Sequence, residues 1–330
     1  MGMGCSYLSN CGKDSEDLNE IYNDHIMKET IINNPKLLSG LVKLQSHYRG
    51  MKIRDKIKNI DPQELSTKLT ITENELTTLL NTYPPLNDNI HVELVYQKEL
   101  AKNTKYCGEW DSSKNKRHGR GILLWPEGAK YLGYWVNDKA NIKGKLIHNN
   151  GDIYDGEWLD DRPNGKGIYI HKDGTIYEGE WKNDKKDGIG KEKWIDGATF
   201  EGEYKDGKKN GKGKFCWADG SSYEGNFENN KFNGNGIYIF GDKRKYEGNW
   251  VDGKIDGYGV FIWPDGRKYL GNYKKDKKDG YGIFIWKDGK QYKGNWSNGK
   301  QDGEGEVFFP KERIWRKGVW DDGKRIKWIK

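Results

Sequence analysis

From Tyr131 onward the sequence repeats itself every 23 residues, with an aromatic residue opening each unit at Tyr131, Tyr154, Tyr177, Phe200, Tyr223, Tyr246, Tyr269 and Tyr292. A unit two residues longer begins at Tyr106, and a truncated one closes the chain from Arg316 to Lys330. A short fixed period builds an array in which each unit packs on its neighbours, and it excludes a chain folded around one centre.

Within a unit the pattern alternates, which reads as strand. In Tyr177-Glu178-Gly179-Glu180-Trp181 the Tyr, Gly and Trp share one face and the two Glu the other. A polar stretch, a Gly-x-Gly, four residues rich in β-branched and aromatic types and an Asp-Gly pair follow. Lys-Lys-Asp-Gly stretches and pairs such as Asp173-Gly174 and Asp196-Gly197 have tight-turn chemistry and are expected to be loops. Each unit is therefore predicted to be a β-hairpin. The fold class expected is an all-β repeat array, tandem hairpins in an elongated single-layer antiparallel sheet, with a small α-helical N-terminal region. About 19 strands at roughly 4.8 Å spacing would span on the order of 80–90 Å.

Stacking the units aligns three aromatic columns. The first is the opening residue. The second lies four residues on and includes Trp110, Trp135, Trp158, Trp181, Tyr204, Phe227, Trp250, Tyr273 and Trp296. The third ends the second strand at Trp125, His148, His171, Trp194, Trp217, Phe240, Trp263, Trp286 and Phe309. Most of this content serves packing between neighbours, but a one-layer sheet leaves part of such a stripe open for docking. Tyr154, Trp158, Tyr177, Trp181, Trp194, Trp217, Tyr246, Trp250, Trp263 and Trp286 are the expected partner-docking face.

These units, with their Tyr-Glu-Gly-Glu-Trp opening and following Gly-x-Gly, resemble MORN repeats, and the resemblance covers residues 106–330. It implies the hairpin array and a scaffold or platform role. Ile142 departs from it by replacing the first Gly of a Gly-x-Gly pair.

Composition agrees with an open array: 34% of residues are hydrophobic, 32% are charged, and 44 are glycines, too little aliphatic material for one large core. The net charge of +7 is spread among many carboxylates, unlike the one-signed footprint of a nucleic-acid binder. Four cysteines without paired spacing suit a reducing compartment, and no apolar run approaches 18 residues.

Residues 1–34 read as a tether. With Met1 removed, Gly2-Met3-Gly4-Cys5-Ser6 fits the N-myristoylation pattern, and Cys5 is placed for palmitoylation. One chain binds membrane weakly and two hold it, so the expected location is the cytoplasmic face of a membrane. Residues 35–60 form a basic amphipathic stretch, with Leu37, Leu41, Leu44, Tyr48 and Met51 at helical spacing. Within it Leu44-Gln45 through Arg49-Gly50 to Arg54 resembles an IQ motif. The resemblance implies binding of calmodulin or a related EF-hand protein through Leu44, Gln45, Tyr48, Arg49, Gly50 and Arg54, with Leu44 anchored in an apolar groove, Gln45 bonding backbone and Arg49 and Arg54 meeting acidic residues. In residues 61–105, Asp61-Pro62 and the capping box from Thr72 to Glu75 start short helices, the second ended by Pro84-Pro85. His91 to Leu94 and Tyr96 read as a strand covering the array's first edge.

No enzymatic signature appears, and no cofactor or metal is implied. The six histidines show no metal-ligand spacing. Residues 202–209, Gly-Glu-Tyr-Lys-Asp-Gly-Lys-Lys, imitate a phosphate loop but place Lys209 where a hydroxyl should hold magnesium. The expected function is a non-catalytic, membrane-tethered adaptor that binds an EF-hand protein and docks a protein or lipid partner on its repeats. The alternatives are a structural component of a cilium or cortical cytoskeleton, and a phosphoinositide-binding module.

Overall fold

The structure, a computed structural model, describes residues 70–329. Among them are one α-helix, a short 3₁₀ turn at Ala101–Asn103 and twenty-one strands, so the fold is an all-β array of tandem antiparallel hairpins. The described residues divide into two compact units, one of 70–186 with Glu192–Ile195, the other of Asp187–Lys191 with 196–329.

In the first unit, helix α1 (Glu73–Thr82) starts at Thr72, whose hydroxyl accepts from the Glu75 amide at 3.2 Å. The Glu75 carboxylate in turn accepts from the Thr72 amide at 2.9 Å, which satisfies two donors at the exposed helix end. The helix stops at Tyr83, directly before Pro84. Strand β1 (Glu93–Glu99) pairs antiparallel with β2 (Lys105–Asp111) and covers the edge of the first repeat. Strands β3 (Lys116–Leu124), β4 (Lys130–Val136), β5 (Lys139–Ile147), β6 (Ile153–Leu159), β7 (Arg162–Ile170) and β8 (Ile176–Lys182) follow, each paired with the strand before it.

In the second unit the same ladder runs from β10 (Thr199–Lys205) to β21 (Lys324–Trp328). Its middle holds β13 (Lys231–Ile239), β14 (Lys245–Val251), β15 (Lys254–Ile262), β16 (Lys268–Lys274), β17 (Lys277–Ile285) and β18 (Gln291–Ser297).

The Lys-Lys-Asp-Gly stretches are not loops. Lys277 to Gly280 lies inside β17, and the turn before it is Lys275-Asp276, with φ of 48° and 69°. Two consecutive positive φ angles make the two-residue hairpin turn whose twist matches its strands. Asp276 closes that turn onto the previous hairpin, where its carboxylate accepts from the Ile255 amide at 2.8 Å and its amide donates to the Ile255 carbonyl at 2.9 Å. The second strand of a unit is thus nine residues long in β7, β15 and β17, and Gly-x-Gly falls at its centre.

Alternation gives every hairpin two unlike faces. The aromatic face carries the tyrosine and tryptophan columns, and the opposite face carries mostly charged residues. In the first unit that opposite face is covered locally, where Ile71, Leu76 and Leu79 of the helical segment pack on Cys107, Ile122 and Leu124.

Candidate docking surface

Glycines let the first aromatic column sink into the sheet. Gly156 faces Gly167 across β6 and β7, and the Tyr154 ring lies over the pair. A Cβ on Gly167 would stand 2.4 Å from the Tyr154 hydroxyl. That hydroxyl donates to the Glu157 carbonyl at 2.8 Å, and Tyr223, Tyr246, Tyr269 and Tyr292 repeat the bond to the residue three further on. The second column locks each repeat to the one before. Trp158 Nε1 donates to the Gly144 carbonyl at 2.9 Å, and Trp296 Nε1 to Gly282 at 3.2 Å. The rings meet edge to face: Tyr154 lies 5.2 Å from Trp158 and 5.3 Å from Trp181.

This packing corrects the expectation of one accessible aromatic stripe. Tyr154, Trp158, Tyr177, Trp181, Tyr246 and Trp250 are all buried, so they stiffen the sheet and offer a partner no surface. Trp194, Trp217, Trp263 and Trp286 are half-buried, and of the expected docking face only these four can be touched from outside.

A fourth column escaped the sequence reading. Phe215, Tyr238, Phe261 and Phe284 each stand two residues before a third-column ring and pack against it, tilted at 4.4 Å for Phe215–Trp217 and Phe261–Trp263 and edge-on at 4.7 Å for Phe284–Trp286. Its signal was present as an aromatic-x-aromatic ending recurring at the same 23-residue interval. Cations cover the paired rings. The Arg244 guanidinium lies 4.6 Å from Phe240, that of Arg267 5.4 Å from Trp263, and the Lys290 ammonium 5.2 Å from Trp286.

Lys278 goes further inside. Its ammonium sits 4.5 Å from the Phe284 ring, 4.6 Å from Trp296, 4.9 Å from Tyr269 and 5.5 Å from Trp263. Burial among these rings, with a smaller push from Arg267, lowers its pKa to about 8.

The acylation candidates Gly2 and Cys5, and the IQ-like residues Leu44, Gln45, Tyr48, Arg49, Gly50 and Arg54, lie outside the described residues. Among the described residues no helix is long and apolar enough to cross a membrane, and no group of three or more His, Cys, Asp or Glu is placed to hold a metal ion.

Tandem hairpins locked by buried Tyr and Trp columns over paired glycines define a β-hairpin repeat protein. The MORN repeat pattern matches residues 106–130, 131–153, 154–176, 177–199, 200–222, 223–243, 246–266, 269–291 and 292–311, and the chain belongs to the MORN-repeat family. No curated protein matches it. Among solved structures it is similar to the TCP10 domain of Danio rerio CPAP in complex with a STIL peptide, at 14% identity over 71% of this chain and 97% of that one, with a TM-score of 0.39. It is also similar to the SAS-4 TCP domain of Drosophila melanogaster in complex with a proline-rich motif of Ana2, at 13% identity over 56% of this chain and 100% of that one, with a TM-score of 0.31.

Proposed function

We propose that this MORN-repeat scaffold is a membrane-tethered adaptor. Acylated Gly2 and Cys5 hold its N-terminus at a cytoplasmic membrane face. The basic amphipathic stretch of residues 35–60 takes calmodulin or a related EF-hand protein through Leu44, Gln45, Tyr48, Arg49, Gly50 and Arg54. The repeats of the second unit dock a partner on the third aromatic column, around Trp217, Trp263 and Trp286. The observation that carries the docking role is the division of the aromatic face into buried columns that stiffen the sheet and a half-buried, cation-covered column that meets solvent. The tether and the EF-hand site are supported by sequence pattern. Their closeness in sequence supports a switch in which the EF-hand protein competes with anionic lipid for the basic stretch.

Detergent fractionation of the tagged protein beside Gly2→Ala tests the tether. The adaptor reading expects wild type in the detergent-released membrane fraction and Gly2→Ala in the soluble one. Retention of both in the insoluble cytoskeleton would instead favour a structural role in a cilium or cell cortex. A peptide of residues 35–60 should bind calmodulin, and calcium-calmodulin should strip it from anionic vesicles. Equal vesicle binding with and without calcium-calmodulin would overturn the switch. Vesicle binding that survives deletion of residues 1–60 would assign lipid recognition to the repeats.

A further inference from the structure

The face opposite the aromatic columns shows what it carries when water covers it and when a helix does. At one cross-strand position of this face, Lys145 pairs with Asp155 at 3.0 Å, Lys191 with Glu201 at 3.3 Å and Lys214 with Glu224 at 3.7 Å. At 168 and 237 an Ile faces Glu178 and Glu247. In the first repeats both members are apolar, Ile122 opposite Leu132, and there α1 lies on the sheet, leaving Ile122 fully buried and Leu124 4% exposed.

The apolar pair returns once more. Six repeats on from Ile122 and Leu132, Val260 stands opposite Leu270, and Leu270 opposite Ile283. Ile262 and Ile285 occupy the register of Leu124, while Tyr258 and Tyr281 occupy that of Arg120. The aliphatic side chains of this set are half-buried, and Tyr258 and Tyr281 are 56% and 54% exposed. Among the described residues no helix lies on them. Apolar residues on three adjacent strands, at a cross-strand position where every other bare repeat compared above carries at least one carboxylate, mark a seat.

The covered seat also shows how a helix is held at its ends. Lys130 Nζ bonds Glu75 in the first turn of α1 at 2.5 Å, and the Arg120 guanidinium donates to the Leu80 and Tyr83 carbonyls at the other end, both at 3.0 Å. Lys268, exposed, stands six repeats on in the register of Lys130, ready for an acidic first turn. Tyr258 and Tyr281 supply hydroxyl donors in the register of Arg120, suited to the carbonyls of a helix C-terminus.

We propose that the face of β15, β16 and β17 built from Tyr258, Val260, Leu270, Tyr281 and Ile283 is a docking site for an amphipathic helix of a partner protein, with Leu-type residues at three- and four-residue spacing and an acidic first turn. The helix lies on the sheet as α1 does. The site rests on the scaffold reading but uses the opposite face from the third aromatic column, so the two can fail separately.

The test uses the full chain and a fluorescein-labelled, hydrocarbon-stapled peptide of residues 70–85, the chain's own helix supplied in trans, read by fluorescence anisotropy. Saturable binding is expected. Leu270→Glu should weaken it at least about tenfold by placing an unpaired charge beneath the helix. Lys268→Glu should weaken it several-fold, and a Glu75→Lys peptide should recover the loss. Glu224→Gln, at a bare ion pair of the same face, should leave binding unchanged. Should Leu270→Glu not fold, as judged by circular dichroism, Tyr281→Lys at an exposed position carries the same expectation. Binding indifferent to these changes, or lost in Ile122→Glu instead, would overturn the proposal. So would a dimer of the chain, or binding to anionic vesicles, that Leu270→Glu abolishes while the peptide fails to bind.

Discussion

Ile142 is the residue most at odds with its place. The equivalent positions in other hairpins are Gly119, Gly165 and Gly257, with φ of 95°, 97° and 100°, and Ile142 itself is held at 62°. A β-branched side chain with positive φ is strained, at a cost of about 1–3 kcal/mol. Its side chain is half exposed and contributes little packing in return. Ile142→Gly should therefore raise stability by about 1 kcal/mol, less than the full strain because glycine also gains freedom in the unfolded chain. A higher urea midpoint at unchanged slope would show it. Gly167 predicts the reverse. A methyl group there drives into the Tyr154 ring, 2.6 Å from two of its carbons. Gly167→Ala should cost about 2–3 kcal/mol and open the β6–β7 hairpin to amide exchange before its neighbours.

At the scale of elements, helix α1 and the strands beneath it form the only part of the described residues where two layers meet through a hydrophobic cluster that includes a helix. Cys107 sits under that helix, fully buried, and burial raises its thiol pKa. Leu79→Asp puts a charge into this cluster, which should cost about 3 kcal/mol and lift the helix off without unfolding the array. Cys107 should then react with a thiol reagent such as DTNB under native conditions, and a protein that stays unreactive would show that β1 and β2 alone shield it. The hairpins, the capping box and the strand ahead of the array were legible in the sequence because each is a local pattern. Glu75 three residues after Thr72 is a spacing, and Tyr-x-Gly-x-Trp is an alternation. Turn placement was not legible: Lys-Lys-Asp-Gly has loop composition, but the two-residue turn before it sets the register and draws those residues into the strand. Which aromatics a partner can reach was also hidden. The sinking of Tyr154 over Gly167 depends on a glycine eleven residues beyond its own Gly156, in the facing strand.

For the whole molecule, repetition multiplies one chemistry, and its pH dependence should show this. Two kinds of group pull in opposite directions. Lys278 has its pKa lowered from an ordinary 10.5 to about 8, so between those values the unfolded chain holds a proton that the folded chain has released. Stability then rises with pH across that window, by on the order of 2 kcal/mol after allowance for the part of the side chain that water reaches. The buried tyrosines behave as acids that folding keeps protonated. Burial raises the pKa of Tyr106, Tyr131, Tyr154, Tyr246 and Tyr269 well above 10.0, and that of Tyr223 and Tyr292 to about 12. Above pH 10 the unfolded chain loses protons that the folded chain keeps, so each of these tyrosines removes about 1.4 kcal/mol per pH unit until it ionises in place. The denaturation midpoint should climb from pH 8 toward 10 and then collapse steeply. Lys278→Met should abolish the climb, raise stability at pH 7, and leave the collapse where it was, since the tyrosines are untouched. Urea titrations of both proteins at intervals from pH 7 to 11 separate the two effects. A climb that persisted in Lys278→Met would show that the caged ammonium is not its source.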